Sequence, residues 1–355
     1  MPAWTWAVPA IALAVLGAAI AAGAGTLLAA ASGVMLVGSV IVAVHHAEVV
    51  AHRVGEPFGT LVLAVAVTVI EASLILSMML AGGPGTAELP RDTIFAAIMI
   101  ICNGVVGICL LAGGIRHREQ TFRVEGSGPA LAALVALATL SLVLPTFTTT
   151  APMGSYNNAQ LAFAAVASVV LWAVFVFVQT VRHRDYFLPV ADRANEEVHA
   201  QPPTNAHAWT SFGLLLASLV AVVGLAKVLS PTIERAIAAA GAPRTVIGIA
   251  IALLVLLPET WAAVRAARAN RLQTSMNLAL GSALASIGLT IPVVAVASVA
   301  FGIPLMLGLE AKDLVMLALT FAVGTITLGT GRTSMMQGAV HLVIFAAFLF
   351  LAFVP

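Results

Sequence analysis

Apolar runs, each about as long as a bilayer is thick, follow one another along almost the whole chain. No other feature constrains the fold as much. A helix needs about 20 mostly apolar residues to cross the hydrocarbon core. Runs of that kind fall at 5–23, 26–50, 57–81, 92–115, 128–147, 157–181, 208–229, 243–265, 272–299, 304–329 and 333–353. The expectation is an all-α polytopic membrane protein with about 11 transmembrane helices. Composition agrees: 61% of the 355 residues are hydrophobic and 9% are charged, against roughly 25% charged in a soluble domain. The tenth run carries Glu310, Lys312 and Asp313 near its start.

The basic residues set the orientation. Arg53; Arg116, Arg118 and Arg123; Arg182, Arg184 and Arg193; Arg265, Arg268 and Arg271; and Arg332 fall at alternate connections. Of the 16 basic residues only Arg91, Lys227, Arg235, Arg244 and Lys312 belong to the other side. The richer side faces the cytoplasm. That places the N-terminus inside and, for an odd number of crossings, the C-terminus outside. The opening Met1-Pro2-Ala3-Trp4-Thr5-Trp6 lacks the basic region of a signal peptide, so the first run is expected to be a retained helix. The net charge of +1 and the absence of a basic arm give no reason to expect nucleic acid as a partner. Cys102 and Cys109 lie seven residues apart in one run, too far along a helix for a disulfide.

Polar residues 182–207, with Asp185, Asp192, Arg193, Glu196, Glu197 and Pro202-Pro203, divide the runs into two sets. They read as a charged cytoplasmic linker with a short surface helix near 190–199. Each set holds an acid inside an apolar run, followed by a run with small and amide or hydroxyl residues. These are Glu71 then Cys102-Asn103-Gly104-Val105-Val106-Gly107, and Glu259 then Gly281-Ser282-Ala283-Leu284-Ala285-Ser286-Ile287-Gly288. The run with Glu71 leaves the cytoplasm and the run with Glu259 returns to it. Inverted repeats with a site at the membrane midplane are a signature of secondary transporters. The expected plan is an N-terminal helix (1–25), a first five-helix repeat (26–181), the linker (182–207) and a second five-helix repeat (208–355).

Thirteen of the fifteen Asp and Glu residues lie in connections or near the ends of runs, leaving Glu71 and Glu259. An ionisable group at bilayer depth costs at least ~2.5–3.5 kcal/mol on insertion scales, so it marks a substrate or proton path by default. The two glutamates are expected to face each other as one cation site. Hard cations take oxygen ligands, and Thr68, Ser73, Asn103, Thr260, Ser282 and Ser286 could add neutral ones. Pro258 removes a backbone hydrogen bond beside Glu259 and frees a carbonyl. Two carboxylates in low dielectric cannot both stay ionised and unpaired. Two protons or one divalent cation neutralise them equally, which is the logic of exchange. Asn103, Ser286 and the glycines Gly104, Gly107, Gly281 and Gly288 suit helix packing as well as a site. His45, His46 and His341 read as packing or interfacial histidines. No apolar run holds an Asp away from its ends, and Glu71 has no His-Glu-x-x-His around it, which argues against an intramembrane protease.

These residues resemble the cation/proton exchanger branch of the calcium/cation antiporter superfamily, over nearly the whole chain. Gly55-Glu56-Pro57-Phe58-Gly59-Thr60-Leu61 leading to Thr68-Val69-Ile70-Glu71 is similar to the first signature repeat. Leu257-Pro258-Glu259-Thr260, Arg271-Leu272-Gln273 and Gly281-Ser282-Ala283 are similar to the second, and Gly331 to Ala339 to the opening of the last helix. The resemblance implies that Glu71 and Glu259 are the cation and proton ligands, with Asn103 and the Gly281-Ser282 step beside them. The family's Gly-Asn before each glutamate is replaced by Val67-Thr68 and Val255-Leu256, and Ser286 stands where a larger aliphatic residue is usual. That altered set extends the expected cargo from Ca2+ to Na+ or K+. The expected function is a secondary cation/proton antiporter of the bacterial inner membrane. It is not an enzyme and has no prosthetic group; its partners are inorganic cations, protons and the lipid bilayer. The rivals are a sodium/calcium-type exchanger uncoupled from protons, and a channel or non-transporting scaffold.

Overall fold

The computed structural model describes residues 2–23, 25–55, 58–82, 85–188, 203–239, 241, 243 and 245–354. Among these, ten helices are long and apolar enough to cross a bilayer, and a further helix contains the apolar stretch Val65–Leu80. In chain order they are α1 (Trp4–Ala22), α2 (Thr26–Val54), α3 (Phe58–Ala81) and α4 (Leu89–His117). Next come α5 (Val124–Phe147), α6 (Asn158–Arg182), α7 (Asn205–Ala239) and α8 (Thr245–Arg268). The last three are α9 (Leu272–Phe301), α10 (Ala311–Gly329) and α11 (Met335–Phe353). The protein is thus an all-helical polytopic membrane protein with the eleven helices expected. Glu56 and Pro57 of the first signature, and the surface helix expected near 190–199, lie outside the described residues.

The tenth run starts later than its hydropathy predicts. Gly302 ends α9 in the left-handed conformation (φ 64°) and Pro304 follows, so the helix cannot continue. Residues 303–310 then run without helix. Their amides are taken by neighbouring backbone: Met306 N–H donates to Ala87 O at 2.9 Å, Gly308 to Gly154 O at 2.8 Å and Leu309 to Leu142 O at 3.0 Å. The acids found near this start have a local reason. Glu310 occupies the N-cap of α10 and Asp313 its first turn, where the helix dipole favours negative charge.

The chain packs as two compact units, Met1–Thr86 with His199–Arg244, and Ala87–Val198 with Thr245–Pro355. In the first unit α2 lies along α7, and α1 and α3 pack on both. Small residues permit this: a methyl group at Gly38 would meet Val8 Cγ1 at 3.2 Å, and Gly224 sits against Leu16. His46 Nε2 hydrogen-bonds Thr5 O at 2.9 Å, joining α2 to α1. Arg53 Nε donates to Asn205 Oδ1 at 2.7 Å, joining the ends of α2 and α7.

In the second unit α4 is the buried centre. It packs on α8, α9 and α11, and α9 in turn packs on α5, α6 and α8. Glycines again set the separation. A methyl group at Gly248 of α8 would lie 2.8 Å from the Asp92 carbonyl carbon of α4, and one at Gly107 of α4 3.0 Å from Leu342 Cγ of α11. A two-stranded antiparallel ribbon pairs β1 (Glu119–Thr121) with β2 (Arg332–Ser334), tying the α4–α5 connection to the α10–α11 connection. Gln120, buried in β1, donates to Ala267 O at 2.9 Å and Asn270 Oδ1 at 3.0 Å, which adds the end of α8 to the same clamp.

Candidate cation site

Glu71 and Thr68 sit on α3, three residues apart and therefore on one helix face. Both are buried, with Glu71 3% exposed. Val65 and Val69, on another face of α3, are exposed, as lipid-facing residues of an apolar helix would be. Ile70, Leu74 and Ile75 are buried with the glutamate. Glu71 therefore lies on the buried face of an almost wholly apolar helix.

Glu259 belongs to the second unit, on α8, and is half-buried. It continues the helical row Ala252, Val255, Leu256, whose members are buried, towards Ala263, also buried. Leu253, Leu257 and Trp261 form the exposed stripe of the same helix. Pro258 lies inside α8. Having no N–H, it cannot serve the carbonyl of Leu254, so a backbone oxygen is released one turn before the carboxylate. Thr260 Oγ1 donates its proton to Leu256 O at 2.7 Å, within its own helix.

Ser282 and Ser286 lie four apart on one face of α9; Ser286 is buried and Ser282 half-buried. The four glycines near these positions separate cleanly. A methyl group would meet Phe345 at 3.3 Å from Gly104, His341 Cβ at 3.1 Å from Gly107, and Trp172 Cβ at 2.6 Å from Gly288. These three are packing positions. At Gly281 it would meet nothing within 4 Å, so the Gly281-Ser282 step lines open space.

Asn103 is fully buried in a π turn of α4, Ile100–Val105. Such single turns interrupt a helix at a cost and recur at functional sites. Its hydrogen bonds run to α10 and α11: Nδ2 donates to Thr320 Oγ1 at 2.9 Å, and Oδ1 faces His341 Nδ1 at 3.2 Å. His341 Nε2 meets Thr327 Oγ1 at 3.0 Å. A buried polar chain thus links three helices of the second unit. Of the expected site residues, Asn103, Glu259, Ser282 and Ser286 stand on α4, α8 and α9, which pack on one another; Thr68 and Glu71 belong to the other unit. The sequence does not single out Thr320 or Thr327, and it presents His341 as a packing or interfacial histidine. The available signal was weak: two threonines seven apart share a face of α10, and one histidine interrupts an apolar run. Cys102 and Cys109 are both buried and unbridged, as their spacing requires.

The family model described as sodium/calcium exchanger protein matches residues 24–181 and 210–354. The protein y4hA of Sinorhizobium fredii is 51% identical over 100% of this chain and 97% of its own length. The sodium-potassium/proton antiporter ChaA of Escherichia coli is 34% identical over 90% of this chain and 86% of its own. Among solved structures, the H+/Ca2+ exchanger CAX superposes with a TM-score of 0.73, covering 98% of this chain and 87% of that one at 15% identity. That last likeness is one of fold.

Proposed function

Since this chain belongs to the sodium/calcium exchanger protein family, in its cation/proton exchanger branch, we propose that it is a secondary active antiporter that exports Ca2+, or Na+ or K+, in exchange for H+. Glu71 and Glu259 bind cation and protons in competition. Neutral oxygens of Thr68, Asn103, Ser282 and Ser286 complete the ligand set. The observation that carries this reading is Glu71, a carboxylate 3% exposed inside an apolar helix. An ionised carboxylate at bilayer depth is costly, and either a proton or a bound cation lowers that cost. The backbone oxygen released by Pro258 and the open Gly281-Ser282 step support a hard-cation path in the second unit.

The monovalent cargo is supported by the name of the Escherichia coli relative, a sodium-potassium/proton antiporter. The proposed location is a bacterial inner membrane, with the N-terminus cytoplasmic and the C-terminus outside; the bias of basic residues between alternate connections supports that orientation. The proton gradient supplies the driving force, and the two five-helix repeats supply the two access states.

The test uses inverted membrane vesicles acidified inside by respiration, with a pH-sensitive dye. Addition of Ca2+, Na+ or K+ should alkalinise the interior of vesicles holding the wild type and rank the cations. Glu71→Gln and Glu259→Gln should each abolish the response. A variant with full cation-driven proton movement would remove that glutamate from the coupling. No response to any cation in folded wild-type protein would favour sodium-coupled exchange without protons.

A further inference from the structure

Asn103 can offer a cation only its amide oxygen, since the NH2 group is a donor. Which of the two faces which neighbour is fixed by a chain of hydrogen bonds that starts at one carbonyl. Thr320 Oγ1 lies 2.7 Å from Met316 O, which can only accept, so Thr320 donates there. Met99 Sδ, 3.3 Å from the same hydroxyl, is a much weaker acceptor. With its proton committed, Thr320 accepts from Asn103 Nδ2 at 2.9 Å. Oδ1 is therefore turned to His341, whose Nδ1 must carry the ring hydrogen and donate at 3.2 Å. In the neutral ring Nε2 then accepts from the Thr327 hydroxyl at 3.0 Å. Asn103, Thr320, Thr327 and His341 are each at most 2% exposed, so water does not compete. Turned over, the amide would set acceptor against acceptor at Thr320, and its NH2 group would meet an acceptor at His341 only if the ring changed tautomer. The approach of α11 that brings the ring within reach depends on Gly107, where a side chain would press on His341 Cβ.

We propose that His341 and Thr320 are positioning residues for cation binding. Together they hold the Asn103 amide one way round, so that the lone pair of Oδ1 not used by His341 is what this side chain presents to the cation. The inference rests on the antiport reading, in which Asn103 belongs to the ligand set, and it adds two residues from α10 and α11 that touch Asn103 rather than the cargo. Without them the amide turns, and the NH2 group displaces the ligand oxygen for part of the time.

The experiment measures cation-driven proton movement against cation concentration in the same vesicles, with thermal unfolding of each purified variant as the check on folding. His341→Leu removes the donor to Oδ1, and Thr320→Val removes the acceptor of Nδ2 at nearly constant shape. Each should raise the half-saturating cation concentration about tenfold, the equivalent of ~1.4 kcal/mol, and leave the maximal rate within about twofold. His341→Asn keeps an N–H where Nδ1 stood and should return half-saturation to within about threefold of the wild type. Thr320→Val and His341→Asn carry the test if His341→Leu unfolds. Unchanged half-saturation in folded Thr320→Val and His341→Leu overturns the inference while leaving antiport intact. So does a lowered maximal rate at unchanged half-saturation, which is the signature of packing alone. A wild type that moves no protons with any cation sinks the antiport reading, and this inference with it.

Discussion

At the scale of single residues, the two glutamates and the two glycines of α9 give the sharpest contrasts. On the proposed mechanism protons and cation compete for Glu71 and Glu259, so the apparent cation affinity should fall as pH falls. The sign follows from charge: protonation removes the negative group that the cation needs. Half-saturation should rise by up to about tenfold per pH unit for each competing proton, read from cation titrations at several pH values. Gly281 and Gly288 look alike in sequence. At Gly288 a methyl group would lie 2.6 Å from Trp172 Cβ, whereas at Gly281 it meets nothing within 4 Å. Gly288→Ala should therefore destabilise by about 1–3 kcal/mol through overpacking. Gly281→Ala should leave stability unchanged or gain up to about 1 kcal/mol from helix propensity. Denaturation of the two purified variants in one detergent compares them directly.

At the scale of elements, α4 bears the most constraint. It is the buried centre of its unit, it carries the π turn around Asn103, and it meets α8 and α11 across glycines. Its C-terminal end is fixed by the β1–β2 ribbon, with Gln120 reaching Ala267 and Asn270 beyond the ribbon itself. Gln120→Leu keeps the size of the side chain and removes both donors, while Ala267 O keeps the Asn270 N–H at 3.1 Å. The expected loss is about 0.5–1.5 kcal/mol, with earlier hydrogen exchange in 117–123 and 330–335 than in the wild type. A variant as stable and as protected as the wild type would show that the ribbon holds without Gln120.

At the scale of the whole molecule, the proposed topology has eleven crossings with the arginine-rich connections in the cytoplasm. A fluorescent protein fused after residue 355 should stay dark, and alkaline phosphatase fused there should be active, since only the latter matures outside the cytoplasm. The opposite pattern would reverse every connection and place the start of α4 on the cytoplasmic side. The unit boundaries cut across the two halves of the sequence: α2 and α3 pack with α7, while α4 to α6 pack with α8 to α11. The two glutamates consequently belong to different units.

What the sequence by itself determined was whatever a bilayer tests locally. Hydropathy over about 20 residues marks a span, and an acid inside an apolar run stands out because it is costly. Ten of the eleven helix starts follow from those signals to within a few residues. The exception, α10, begins later because hydropathy does not register that Gly302 and Pro304 break the helix while the backbone of Ala87, Gly154 and Leu142 accepts the amides. The candidate acids were equally legible. Their surroundings were not. Asn103 meets Thr320 and His341, 217 and 238 residues further along the chain. Hydrogen-bond direction and close helix approach are properties of pairs brought together from distant parts of the chain. No local periodicity encodes them, so only the tertiary structure decided which glycines pack, which way the Asn103 amide faces, and which helices share a unit.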